Sequence, residues 1–89
     1  MPELSRFFGI MIGMFVEAAG SHRTPHCHAY YQDQVAVYDI DKIELLAGAL
    51  PRRQERLALA CAELHRPEWI DAWRTLRQGR SPAKIEPLK

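Results

Sequence analysis

The chain has 89 residues, of which 47% are hydrophobic and 26% charged, and its formal net charge is +1. This length and composition predict one globular domain over residues 1–89 and exclude a disordered chain. The longest apolar run, residues 7–16, is about half as long as a transmembrane helix, and the chain start lacks a signal-peptide pattern. We therefore expect a cytoplasmic protein without membrane contact.

Two cysteines, Cys27 and Cys61, lie far apart in the sequence. Their spacing alone does not decide whether they form a disulfide, but in a reducing cytoplasm two buried free thiols are favoured. No Cys-x-x-Cys pair is present, which excludes a zinc ribbon.

Charge is divided unevenly along the chain. Residues 1–50 hold three basic and six acidic residues (−3), whereas residues 51–89 hold nine basic and five acidic residues (+4). Seven of those nine are arginines, which suit bidentate contacts to carboxylate or phosphate. Solvated helix faces explain this pattern better than a nucleic-acid surface, which stays a weaker alternative.

Alternating apolar residues and turn signals predict strands in the first half of the chain. The predicted strands cover residues 7–16, 26–31, 34–40 and 43–47, after a short lead. A mobile loop is expected over residues 17–24, before the second strand.

The connection Gln32-Asp33 predicts a tight two-residue hairpin between the second and third strands. This register places six side chains on one face in three cross-strand pairs: His26 with Asp39, His28 with Val37, and Tyr30 with Val35. A slip by one residue would destroy the arrangement.

Helical spacing of apolar residues predicts two helices in the second half. Leu50-Pro51 opens the first helix, Pro67 opens the second, and Gly79 ends it. The predicted fold is α+β, an N-terminal antiparallel sheet of three or four strands packed by two C-terminal helices. Ile85 and Leu88 are expected to pin the tail to the domain. The predicted helix–sheet core consists of Leu57, Cys61, Leu64, Trp69, Trp73 and Leu76 against Phe8, Ile10, Ile12 and Met14.

Motifs spread over the whole chain resemble one small family. They are Pro-x-x-Ser-Arg-Phe-x-Gly-Ile near the start, Pro-His-x-His-Ala-x-Tyr at 25–31, Leu-Pro-Arg-Arg at 50–53, Leu64-His65, Asp71-Ala72-Trp73, and Lys-Ile-Glu-Pro-Leu near the end. Together they resemble the bacterial family of domain of unknown function 4160. The resemblance implies a single-domain protein encoded beside a small partner protein, in a two-gene module of toxin–antitoxin type.

The chain departs from the family pattern at two places. Cys27 stands where an aromatic residue is usual between the histidines, and the loop Gly20-Ser21-His22-Arg23 is longer and more basic than is usual. Both differences lie at the rim of the predicted site, so a ligand shared by the family would meet an altered surface here.

The histidine pair allows a metal site. His26 and His28 project from one strand face, and a third ligand can come from His22, Asp39 or His65. Two imidazoles and a carboxylate suit zinc, nickel or iron, and zinc or nickel is the expected cofactor of this alternative. Short histidine pairs are more often surface or hydrogen-bonded core residues, so the metal site is an alternative interpretation.

Acid–base chemistry is a second alternative. His26, His28, Tyr30, Asp39 and Arg53 supply the groups of a small ribonuclease: a base, an acid and a cation for the phosphate. Only the folded geometry can bring them together.

The favoured interpretation is a protein-binding module without turnover. Tyrosine and arginine are typical of interface hot spots, and the chain offers Tyr30, Tyr31, Tyr38, Arg52 and Arg53. The predicted binding surface consists of His26, His28, Tyr30, Tyr31, Arg52 and Arg53. We expect this surface on the side of the sheet that the helices leave open. The expected partner is a small protein from a neighbouring gene. Self-association into a homo-oligomer is an alternative. A small inhibitor protein from a mobile element would have the same sequence features.

Overall fold

The computed structural model describes residues 3–15 and 24–87. Five strands form one antiparallel sheet in sequence order: β1 (Glu3–Phe7), β2 (Ile10–Gly13), β3 (His26–Tyr31), β4 (Gln34–Asp39) and β5 (Glu44–Gly48). Two helices follow, α1 (Arg52–Leu64) and α2 (Arg66–Arg77). The predicted α+β class is confirmed, with five strands rather than three or four.

The extra strand is β1, which lies mostly in the segment predicted as a short lead, and a hairpin turn at Phe8 and Gly9 separates it from β2. Phe8 and Gly9 both adopt positive φ angles, 48° and 78°, so the chain reverses between β1 and β2. Two left-handed residues in a two-residue loop match the twist of the flanking strands. The prediction of one strand here is wrong because apolar alternation continues on both sides of the turn, which carries no asparagine or aspartate.

Proline and glycine delimit the helices as predicted. Pro51 is the N-cap residue of α1, and its carbonyl accepts the Glu55 N–H at 2.9 Å. At the end of α2, Gly79 has φ +76°, while its N–H bonds to the Leu76 carbonyl and the Arg80 N–H to the Thr75 carbonyl. This pair of hydrogen bonds is a Schellman motif, which needs a left-handed residue after the helix.

The helices cover one face of the sheet and form the core with it. The buried helix side chains are Ala58, Cys61, Ala62, Trp69, Ala72 and Trp73, and the buried strand side chains on the facing side include Ile10, Ile12, Cys27, Ala29, Ala36 and Tyr38. Two predicted core residues are solvent-exposed instead: Phe8 (54%), at the hairpin tip, and Leu64 (64%), at the end of α1.

The tail returns to the sheet as predicted. Ile85 is buried, and its N–H donates to the Leu4 carbonyl of β1 at 2.8 Å. Leu88 lies outside the described residues. In the described part of the chain, no helix is long and apolar enough to cross a membrane.

Candidate functional site

The predicted hairpin register is confirmed. His26 pairs with Asp39, His28 with Val37 and Tyr30 with Val35 across β3 and β4. On the other side of β3, Met11 pairs with Tyr30 and Gly13 with His28. The middle of this three-strand unit therefore carries His28 and Tyr30 on the face opposite the helices.

We call this surface the open face and define it by Met11, His28, Tyr30, Val35 and Val37. Val35 is 43% exposed, and the other four side chains are half-buried. The opposite side chains of β3, Cys27 and Ala29, are fully buried against the helices. The sheet thus has one sealed face and one mostly apolar face that solvent partly reaches, on which Arg6 of β1 lies beside Met11.

His26 is the main correction to the predicted site. It was expected on the open side, but its side chain is 1% exposed and its ring lies 4.9 Å from the Trp73 ring, centroid to centroid. His26 is the first residue of β3, at the end of the sheet, where α2 reaches it. Its Nδ1 lies 2.9 Å from the Thr24 carbonyl oxygen and donates to it, since a carbonyl can only accept.

His28 stays at the surface, held by aromatic contacts. Its ring stacks on Phe15 at 4.5 Å and 21°, and it meets the His26 ring edge-on at 5.4 Å. With the His26–Trp73 contact, these rings form a continuous aromatic row from the open face to the core. The row fixes the orientation of the His28 ring through packing.

Asp39 stabilises the turn that follows β4 through a hydrogen bond. Its carboxylate is 3% exposed and accepts the Lys42 backbone N–H at 2.9 Å. The chain turns sharply there, and Ile43 adopts φ 56°, an unusual value for a β-branched residue. Asp39 lies opposite His26 as predicted, but burial removes both from contact with an external substrate.

The predicted metal set does not assemble. Among residues 3–15 and 24–87, no three His, Cys, Asp or Glu side chains come close enough to bind a metal ion. His65 lies between α1 and α2, where its Nδ1 is 2.5 Å from the Glu68 carboxylate, so it does not join His26 and His28. His22 lies outside the described residues.

Tyr31 and the arginines are placed apart from the open face. Tyr31 pairs with Ile10, lies on the helix side of the sheet and packs against the core. Arg52 and Arg53 are exposed in the first turn of α1. The predicted binding surface is therefore divided, and only His28 and Tyr30 of its members lie on the open face.

Met11 is the member of this surface that the sequence did not predict, whereas the hairpin register already placed Val35 and Val37 on the face of His28 and Tyr30. Alternation placed Met11 away from the core, but only its pairing with Tyr30 shows that the two share the open face. That pairing depends on how β2 and β3, which are separated by residues 14–25, align, and local sequence does not encode this alignment.

Both cysteines are free and buried, as predicted. Burial raises the pKa of the Cys27 thiol to about 12 and that of the Cys61 thiol to about 11. Burial also raises the pKa of the Tyr38 phenol to about 12. Neither thiol is a nucleophile near neutral pH, because nucleophilic attack requires the thiolate.

Stability is expected to fall at alkaline pH because of these thiols. Below pH 9 the thiols are protonated in both the folded and the unfolded protein, so their contribution to the free energy of unfolding is fully present. Above pH 9 the unfolded chain releases protons that the folded protein retains, and stability is lost as pH rises towards 12. Cys27 alone should lower the free energy of unfolding by about 2 to 3 kcal/mol at pH 11.

Urea unfolding in reducing buffer at several pH values measures this loss. Between pH 9 and 10, where a free thiol is more ionised than a free tyrosine, a Cys27→Ala/Cys61→Ala variant should show a flatter dependence of stability on pH. If the free energy of unfolding fell equally steeply with pH in wild type and in the double variant, groups other than the two thiols would cause the loss of stability at alkaline pH.

Comparison with known proteins gives one finding. The family model described as a domain of unknown function (DUF4160) matches residues 9–74, which is most of the chain. The matched region includes β2 to β5, α1 and most of α2, and so it contains the whole open face. No curated protein and no solved structure matches the chain.

Proposed function

This chain belongs to the family described as a domain of unknown function (DUF4160), and we propose that it acts by binding a partner protein, as one half of a two-gene bacterial module of toxin–antitoxin type. The open face carries this proposal. It presents the side chains of Met11, Tyr30, Val35 and Val37 on three adjacent strands, on the side of the sheet away from the helices.

The chemistry of the open face favours a protein ligand. Contiguous exposed apolar surface on a small domain marks interaction sites, and tyrosine is enriched among residues that dominate binding energy. His28 adds a polar ring whose orientation is fixed by stacking on Phe15. A partner that presents an apolar, sheet-like or helical surface is the ligand that this face fits.

Protein binding also suits the size of the domain. A chain this short buries only about 60% of its unfolded surface, and its stability is correspondingly small. A partner that binds only the folded state adds stability by mass action. Because His26 and Asp39 are buried, the acid–base set of the ribonuclease interpretation lacks two accessible members.

Co-expression with the neighbouring gene product, followed by size exclusion, tests the proposal. We expect the wild-type protein to co-elute with its partner and a Val35→Lys variant to elute alone, because the substitution places an ammonium group in the apolar contact. Leu64→Lys is the matched control, since Leu64 is an exposed leucine on α1. Elution of wild type without a partner, or co-elution of Val35→Lys as efficient as that of wild type, contradicts binding through the open face.

A further inference from the structure

The outer edge of β5 is a second surface, and no strand among residues 3–15 and 24–87 pairs with it. β5 is the last strand of the sheet, and in the described part of the chain β4 is its only strand neighbour. All five residues of Glu44–Gly48 are exposed, including the large apolar side chains of Leu45 and Leu46 (39%). An edge strand of this kind offers free backbone N–H and C=O groups for pairing with another strand.

The opposite edge of the sheet is protected, which makes β5 distinctive. At β1 the ladder is irregular between Glu3 and Ser5, and the tail bonds to Leu4 through the Ile85 N–H. Within β1 itself, Arg6 and Glu3 form an ion pair at 2.6 Å. The ladder of β5 is also irregular, between Val37 and Tyr38 of β4. However, β5 contains no lysine or proline, and no segment among the described residues covers it, so its outer edge is less protected than that of β1.

The charges at the two ends of β5 are of opposite sign. Glu44 begins the strand, and Arg52 and Arg53 follow its end, at the start of α1. Among the described residues, none of these three side chains forms an ion pair. The arginines lie at the positive end of the helix dipole, where cations are unfavourable unless an anion approaches. Glu55 lies in the same first turn of α1, but among the described residues it forms no ion pair with either arginine.

A second copy of the chain matches this charge pattern. In an antiparallel arrangement around a two-fold axis, the acidic start of each β5 meets the basic end of the other. A parallel arrangement would place like charges together. We propose that two copies of this protein pair their β5 strands antiparallel, with Leu46 near the two-fold axis and Glu44 of each copy facing Arg52 and Arg53 of the other.

This pairing joins the two five-stranded sheets into one continuous sheet. It places Leu45 and Leu46 at the junction and uses the edge of the sheet, so it is independent of partner binding by the open face. Each interface is isologous, because both copies contribute the same strand and the same charges.

Sedimentation over a concentration series tests the proposal with a charge swap. We expect wild type to reach twice the 10.2 kDa mass of one chain. Glu44→Arg alone, or Arg52→Glu/Arg53→Glu alone, should raise the dimer dissociation constant at least about tenfold. The triple variant that combines them should restore dimerisation, because the swapped charges attract again.

Leu46→Lys places a charge on the edge itself and should give a monomer, whereas Leu64→Lys should dimerise like wild type. Circular dichroism checks that each variant is folded. A wild-type monomer at every concentration overturns the proposal. A dimer that Leu46→Lys leaves intact, or a triple variant no better than the single swaps, also overturns it.

Discussion

Replacing Trp69 with alanine is expected to lower the free energy of unfolding by about 3 to 5 kcal/mol. Trp69, on α2, has no exposed surface and is the largest of the fully buried side chains. The expected total stability of a chain of this length is about 4 to 13 kcal/mol, so the loss removes much of it. Urea unfolding followed by circular dichroism measures the change.

Two controls accompany this prediction. Leu64→Ala, at an exposed position, should change stability by no more than about 0.5 kcal/mol, and Trp69→Phe should fall between the two because it retains part of the buried ring. A loss below about 1 kcal/mol for Trp69→Ala would mean that the helices do not pack on the sheet as described.

Replacing Gly48 with alanine is expected to cost about 2 to 5 kcal/mol, from overpacking and a left-handed backbone together. Gly48 has φ +71°, and an added Cβ would overlap the Val35 carbonyl oxygen and approach the Ala36 Cα to 3.2 Å. The Val35 carbonyl also accepts the Ala49 N–H at 3.1 Å. It cannot move aside without loosening the end of β5.

Gly79→Ala is the matched control for this substitution. Gly79 has a similar φ of +76°, but an added Cβ has no heavy atom within 4 Å among the described residues. Only the backbone cost applies there, about 1 kcal/mol. Hydrogen exchange should show faster exchange of the β5 amides in Gly48→Ala alone. Equal stability of the two variants would contradict the close approach of Gly48 to β4.

The β3–β4 hairpin could be predicted because its determinants are local. Strand alternation and the two-residue connection Gln32-Asp33 together fix which residues of β3 and β4 face each other. Helix limits were predictable for the same reason, since Pro51 and Gly79 act on the backbone within one turn. The β1–β2 turn was missed because Phe8 adopts a left-handed conformation that its residue type disfavours.

The burial of His26 depends on contacts distant in sequence. Its exposure is decided by Trp73, which follows it by almost fifty residues and reaches it only after α1 and α2 have packed. The membership of the open face has the same origin, since Met11 meets Tyr30 through strand pairing. Local patterns identify candidate residues, whereas the path of the chain between them decides which ones share a surface.

Calorimetric titration of this protein with the product of the neighbouring gene tests binding through the open face most directly. The account predicts saturable binding to wild type and to Leu64→Lys with equal affinity, and at least about tenfold weaker binding to Val35→Lys. Absence of heat with wild type, or equal affinity of all three proteins, would contradict it.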